Sequence, residues 1–364
     1  MSKQKKSGGS TNSVRKELER LDRDLVKLLS DRARAAQRLA KARQTDHLPP
    51  YDALEEQESI RRAAELNKGP LGEEALRIIM RDVLGTARSL VKPVRIGYLG
   101  PKYSYSHLAA IDRFGDSPEL SPNATIKAVF EALHFGQIDF GLVPLENSTD
   151  GRVVDTLDMF ARLPTKITGE VELKIHHNLL GKCARSDVVE VYSKPQALSQ
   201  CRDWLAKNLP GAKTIEMTST AIAAQIAADK PGAAAVASVE AGMHYGLAVI
   251  DANIEDNKNN VTRFAVIGGA ETKRTGKDKT ALMLEIPHKP GALADAMLVF
   301  KRGRLNLTWI ESFPMSGSRN EYLFFIEFEG HAADSKAKNA LNALRRKTVR
   351  MEVLGSYARS EARE

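Results

Sequence analysis

Cysteine is scarce in this chain of 364 residues: Cys183 and Cys201 stand alone, without metal-ligand spacing. That excludes a disulfide scaffold and suits a reducing, cytoplasmic setting. No apolar run approaches the roughly 18–20 residues that cross a bilayer, so no membrane partner is expected. Residues 1–10 hold lysines but no apolar core, so no secretory leader is expected either. Walker, GxGxxG, HExxH and GxSxG patterns are all missing, which removes nucleotide-binding, metal-hydrolase and serine-hydrolase readings. His176 and His177 make a poor metal pair, because neighbours on a strand point to opposite faces. Neither metal nor cofactor is expected.

What is present is an ordinary globular composition, 42% hydrophobic and 27% charged. At about 150 residues per domain the length suggests two or three domains. The net charge of +8 comes from 54 basic and 46 acidic residues. The charges alternate, as in Arg15-Lys16-Glu17 and Asp22-Arg23-Asp24, which marks solvated helix faces rather than a nucleic-acid surface. A small anionic substrate accounts for the basic excess equally well.

The pattern divides the chain in three, between short tails at 1–11 and 358–364. Residues 12–92 read as all-helical. Apolar positions Val14, Leu18, Leu21, Leu25, Leu28, Ala35 and Leu39 recur at helical spacing, with Arg32 standing in the seam. A helix of about 35 residues is about 50 Å long. So short a segment cannot cover that stripe alone, and a homodimer or higher oligomer is expected. Residues 94–270 alternate β-rich runs (94–99, 140–143, 188–192, 233–238, 264–267) with helical ones (106–114, 126–135, 153–161, 195–208, 221–228). That predicts an α/β domain with a mainly parallel sheet, split into two lobes. A charged linker, 271–279, leads to residues 280–357, which read βαββαβ, the ferredoxin-like order.

Several residues carry chemical weight. Arg32 and Arg43 lie three turns apart on nearly one face, and a buried guanidinium needs an anion. Either acidic residues of a neighbouring helix supply it, or a di-anionic metabolite does. Three turns, 100–106, 146–151 and 218–221, run from strand ends into helix starts with many hydroxyls. Each alone is an ordinary N-cap. Together with Thr262-Arg263-Phe264 they suggest an anion-binding cleft at the carboxyl ends of the strands.

The motifs Tyr98-Leu99-Gly100-Pro101, Val143-Pro144-Leu145-Glu146-Asn147-Ser148, His177-Asn178-Leu179, Pro195-Gln196-Ala197-Leu198-Ser199-Gln200-Cys201 and Asn260-Val261-Thr262-Arg263-Phe264 occur in the order seen in prephenate dehydratases. The stretch with Gly291-Ala292-Leu293, Asn306-Leu307 and Glu311-Ser312-Phe313-Pro314 resembles their ACT regulatory domain, and residues 12–92 resemble the all-helical chorismate mutases. The whole resembles the family of bifunctional chorismate mutase/prephenate dehydratases of phenylalanine biosynthesis.

The resemblance implies Thr262 as hydrogen-bond donor to the leaving hydroxyl of prephenate, with Glu146 or a water carrying the proton. It places Ser104, Ser106, Asn147, Ser148, Ser219, Thr220 and Arg263 around prephenate, Arg263 alternatively forming a structural ion pair. Chorismate falls to Arg15, Arg32, Arg43, Asp52 and Glu56. Phenylalanine, as effector, falls to Gly291, Ala292, Leu293, Asn306, Leu307, Glu311 and Ser312. The chain departs from the family at Tyr103-Ser104-Tyr105, at Asp150 and at Phe313, and in the mutase pocket at Arg43, Glu55, Ala87 and Val91. Three alternatives follow: a dehydratase whose helical domain only dimerises, an arogenate dehydratase, or a non-catalytic ligand sensor or DNA-binding regulator built from the helical domain and an ACT module.

Overall fold

The computed structural model describes residues 7–46, 53–91, 93–115, 118–269, 272–314 and 322–360. Two units separate, Met1–Val94 with Gly115–Pro118, and Arg95–Phe114 with Glu119–Glu364. The first is all-helical: α1 (Ser7–Thr45), α2 (Ala53–Leu66) and α3 (Glu73–Ser89). α1 starts five residues before the expected Asn12. Within one chain α3 buries Leu84 and Ala87, and α1 buries Ala40 and Arg43. The apolar seam of α1 stays open: Val14, Leu18, Leu21, Leu25, Leu28 and Leu39 are each between 47% and 66% exposed. Among the described residues no helix is long and apolar enough to cross a membrane.

The second unit opens with β1 (Arg95–Leu99), α4 (Tyr105–Phe114), β2 (Glu119–Asn123), α5 (Ile126–His134), β3 (Phe140–Asn147), β4 (Gly151–Arg152), α6 (Val154–Arg162) and β5 (Ile167–Lys174). The chain then crosses into a second lobe. There it forms β6 (Asn178–Gly181), β7 (Glu190–Ser193), α7 (Pro195–Gln200), α8 (Arg202–Asn208), β8 (Lys213–Glu216), α9 (Thr220–Asp229), β9 (Ala233–Ala237), α10 (Val239–His244) and β10 (Ala248–Asp251). β11 (Val261–Gly268) returns to the first sheet, whose order is β2-β1-β3-β11-β5; the second runs β10-β6-β9-β7-β8.

The expected lobes are therefore there, but the sheets are mixed rather than mainly parallel. β1 is parallel to β2 and β3, whereas β11 is antiparallel to both neighbours. The double crossing is the reason, since the returning strand enters from the far side. β2 contains Pro122, which hides it in the sequence; as an edge strand it can spare that N–H.

The C-terminal part is β12 (Asp278–Glu285), α11 (Ala292–Gly303), β13 (Leu307–Pro314), β14 (Tyr322–Glu329), α12 (Ser335–Arg345) and β15 (Arg350–Ala358), in sheet order β13-β14-β12-β15. The βαββαβ order holds. The expected linker 271–279 is shorter, because β12 already includes Asp278 and buries Lys279.

Nor does this part stand apart from the first lobe. Leu323 and Phe325 on one face of β14 share a core with Phe130, Phe160 and Ile167, while Ile326 and Phe328 on the other pack under α11 and α12. Gly355 marks the closest approach: a Cβ there would fall 1.9 Å from the Ile167 carbonyl oxygen.

Candidate functional site

Thr262 is the second residue of β11, paired with Asn147 at the end of β3. Asn147 Nδ2 donates to Thr262 Oγ1 (2.8 Å) and to Asn260 Oδ1 (2.9 Å), and its Oδ1 accepts from the N–H groups of Thr149 (2.9 Å) and Asp150 (3.0 Å). The amide is thereby fixed in orientation. Because Thr262 Oγ1 accepts from Asn147, its own proton is left to be given elsewhere.

The two crossings between lobes add a polar network that the sequence reading did not assign. Gln200, at the end of α7, accepts from Asn260 Nδ2 (2.8 Å) and from His177 Nε2 (2.8 Å) at Oε1, and donates to Asp150 (2.8 Å). An amide oxygen only accepts, so Nε2 of His177 carries the proton. Burial holds His177 below its ordinary pKa and keeps the ring neutral, against the Gln200 hydrogen bond. Tyr105 OH donates to the His176 carbonyl (2.7 Å) and lies 3.1 Å from His177 Nδ1. Lobe-two residues thus tie directly to the turn that carries Asn147. Only the position of Gln200 in a quoted motif, and of Asn260 two residues before Thr262, hinted at this.

Arg263 and Glu146 require a correction. Strand alternation puts both on the face opposite Thr262. Arg263 Nη1 reaches Glu327 Oε1 (2.6 Å) and Oε2 (2.7 Å), Nη2 reaches Glu146 (3.0 Å), and the Trp309 ring lies 5.0 Å from the guanidinium. Glu170, at 3.5 Å from Arg263 and 3.0 Å from Lys279 Nζ, completes the buried set. Burial opposes the charge of Arg263, but Glu327, Tyr357 and Glu170 outweigh it and raise its pKa. Of the two readings, the structural ion pair is what forms, and Glu146 is not placed to relay a proton for Thr262.

The hydroxyl-rich turns resolve largely into caps. Ser104 Oγ donates to the Leu99 carbonyl (3.1 Å) and accepts from His107 N–H (3.4 Å) at the start of α4. Ser219 caps α9 by accepting from Ile222 N–H (3.1 Å). Ser106 and Thr220 are buried in the first turns of those helices. Ser148 Oγ donates to the Asn259 carbonyl (3.1 Å) and accepts from Val261 N–H (2.9 Å), pinning the turn beside Thr262. Tyr103, at φ +65°, stacks on His244 of the other lobe with ring centroids 3.9 Å apart.

In the helical unit Arg32 lines a cavity of about 250 Å³ with Leu29, Asp82, Val83, Thr86 and Ala87. Arg43 is buried and pairs with Glu55 (2.5 Å), and Glu56 pairs with Arg88 (3.4 Å). Arg15 is exposed and seventeen residues from Arg32, about 25 Å along the helix, so it cannot share that cavity within one chain. Asp52 lies outside the described residues.

Gly291, Ala292 and Leu293 line a cavity of about 370 Å³ with Lys289, Tyr322 and Phe324. Gly291 caps α11 at φ +79°, where a side chain would be strained. Asn306 and Leu307 do not line it in the same chain. Neither does Ser312, which is exposed, nor Glu311, which turns to the first lobe and pairs with Arg152 (2.7 Å). Phe313 is buried in the shared core.

Comparison with known proteins places this geometry. The prephenate dehydratase family model matches residues 96–272, and that of chorismate mutase type II matches residues 14–92. A bifunctional chorismate mutase/prephenate dehydratase of Aquifex aeolicus is 40% identical over 356 residues, spanning 96% of this chain and 98% of that one. A prephenate dehydratase of Arthrobacter aurescens, solved in complex with L-Phe, superposes with a TM-score of 0.68 at 33% identity, covering 73% of this chain and 90% of its own. The prephenate dehydratase of Staphylococcus aureus gives a TM-score of 0.64 at 29% identity, covering 72% and 100%.

Proposed function

We infer that this chain, which belongs to the family of bifunctional chorismate mutase/prephenate dehydratases, rearranges chorismate to prephenate in its helical unit and dehydrates prephenate to phenylpyruvate in its α/β unit. Both steps serve phenylalanine biosynthesis. The observation that carries the second activity is the Asn147–Thr262 hydrogen bond at 2.8 Å, beside the two crossings that join the lobes.

In the dehydration the ring hydroxyl of prephenate leaves as water while the ring carboxylate leaves as CO₂, and aromatisation drives both. One proton must reach the departing oxygen. Thr262, its oxygen lone pair held by Asn147, directs its proton toward that oxygen and is resupplied by solvent water. Gln200, Asp150 and Asn260 hold the two lobes in register around the substrate. The starts of α4 and α9, with Ser104, Ser106, Ser219 and Thr220, offer N–H groups to its carboxylates. Arg263 and Glu146 act from behind the strand rather than on substrate.

The mutase reaction is pericyclic and needs positive charge near the breaking ether bond, not a nucleophile. Arg32 faces the cavity that would take chorismate. Arg15 would come from a second copy, which also covers the open seam of α1, so the working form is a homodimer or larger. The Arg43–Glu55 pair and Ala87 favour a second reading, in which the helical unit chiefly dimerises. The C-terminal βαββαβ unit acts as an ACT domain. Phenylalanine would enter the cavity at Gly291, closed by Asn306 and Leu307 of a partner copy, and inhibit the dehydratase. A cytoplasmic setting accords with the two free thiols.

Offering the purified chain chorismate, prephenate and arogenate in turn tests this. Prephenate from the first and phenylpyruvate from the second are expected. No turnover of chorismate leaves the dimerising reading, and faster conversion of arogenate than of prephenate overturns the substrate assignment.

A further inference from the structure

A buried ion cluster lies behind β11. Arg263 and Lys279 face Glu170 and Glu327, and the side chains of all four are at least nine-tenths buried. Taking four charges out of water is costly, and well-packed apolar residues would hold the two sheets together at least as well. The cluster is also asymmetric. Arg263 sits on the strand that carries Thr262, whereas its closest partner, Glu327, comes from the C-terminal unit. Glu327 is itself fixed by Tyr357, whose hydroxyl donates to Oε1 at 2.9 Å.

We propose that Glu327 is a positioning residue of the dehydratase site: acting through Arg263, it fixes the start of β11 and so the place of the Thr262 hydroxyl. Thr262 and Arg263 share a peptide unit, so whatever anchors the guanidinium on one face limits the backbone that presents the hydroxyl on the other. β11 is irregular at this point, its register with β3 shifting between Arg263 and Phe264. On its other edge the start of β11 pairs regularly with β5 from Val261 to Val266, so the side-chain anchors bear on the β3 edge, where Thr262 meets Asn147. Misplacing a reacting group by about 1 Å can cost about 10²-fold in rate.

The same strand carries a second consequence. Tyr322 and Phe324 of β14 line the cavity at Gly291, and Glu327 lies three residues further along. A ligand that closes on Phe324 shifts β14 and with it the anchor of Arg263. That gives effector binding a route to Thr262 without contact between the sites.

The proposal rests on Thr262 as proton donor, and its test separates the two. In the full-length chain, Glu327→Gln keeps size and one hydrogen bond but removes the charge. We expect kcat for prephenate to fall about tenfold, KM to stay within twofold, mutase turnover to be unchanged, and inhibition by phenylalanine to weaken. A far- and near-ultraviolet circular dichroism spectrum and a melting curve matching the wild type show that the unit carrying Glu327 has folded. Should Glu327→Gln fail to fold, Tyr357→Phe loosens Glu327 while keeping the ring in the core, and should lower kcat two- to threefold. Wild-type kcat in a folded Glu327→Gln chain overturns the positioning role, provided Thr262→Val is inactive. An active Thr262→Val overturns the underlying site instead. A fall in kcat with wild-type inhibition by phenylalanine keeps the positioning role and overturns the route through β14.

Discussion

Thr262 and Arg263 are consecutive residues that serve opposite sides of one strand. Thr262 Oγ1 lies 2.8 Å from Asn147 on one face, and Arg263 Nη1 lies 2.6 Å from Glu327 on the other. The two-residue period of a strand makes this division automatic. One side of β11 is left to the proposed substrate site, the other to the C-terminal unit.

Asn147→Asp isolates the donor. The aspartate still accepts from the N–H groups of Thr149 and Asp150, but it no longer donates to Thr262 and instead competes for its proton. We expect kcat for prephenate to fall about 10²-fold, the scale of one lost positioned donor. Steady-state phenylpyruvate formation checks it, and a kcat within twofold of wild type contradicts it.

Gln200→Leu tests the tie between lobes. It leaves Asn260 Nδ2, His177 Nε2–H and Asp150 without the partner they share. Leaving the buried Asn260 and His177 groups unpaired should cost about 1–3 kcal/mol, visible as a lowered Tm of the α/β unit and a raised KM for prephenate.

The neutral His177 makes stability depend on pH. Its pKa is lowered in the folded chain from an ordinary 6.5. Below that value the unfolded chain binds a proton that the folded chain refuses. The stabilisation is therefore complete above about pH 6.5 and is lost as pH falls through that value toward the folded pKa. Melting curves from pH 8 to 5 should show His177→Gln losing less stability than the wild type; parallel losses would refute this.

In the helical unit, Glu55→Gln should raise mutase kcat/KM several-fold, because it removes a negative charge beside the buried Arg43 that repels an anionic substrate. Arg32→Ala should lower it about a hundredfold, or about 3 kcal/mol. Spectrophotometric loss of chorismate measures both, and a further drop in Glu55→Gln would show that the ion pair is needed as it stands.

Much of this was legible in the sequence because period and motif report local structure. The order of elements in the helical unit and in the βαββαβ unit follows from apolar spacing, and the motif around Thr262 marks it as a candidate. Less visible was anything set by a partner distant in sequence. Arg263 reads as a cleft residue until Glu327, sixty-four positions later, is found to hold it from behind. Glu311 reads as an effector contact until strand alternation turns it toward Arg152. Gln200 shows no period of its own and gains meaning only when the two crossings bring His177 and Asn260 to it. The mixed sheets were misread because local pattern fixes a strand but not its direction.

The most direct test of the account is a single time course in which the Thr262→Val chain is given chorismate and both products are followed. A chain with two separate sites, the second dependent on the Thr262 hydroxyl, predicts that prephenate accumulates at the wild-type rate while phenylpyruvate forms at least about 10²-fold more slowly. Phenylpyruvate appearing at a near-wild-type rate from the folded variant would contradict it.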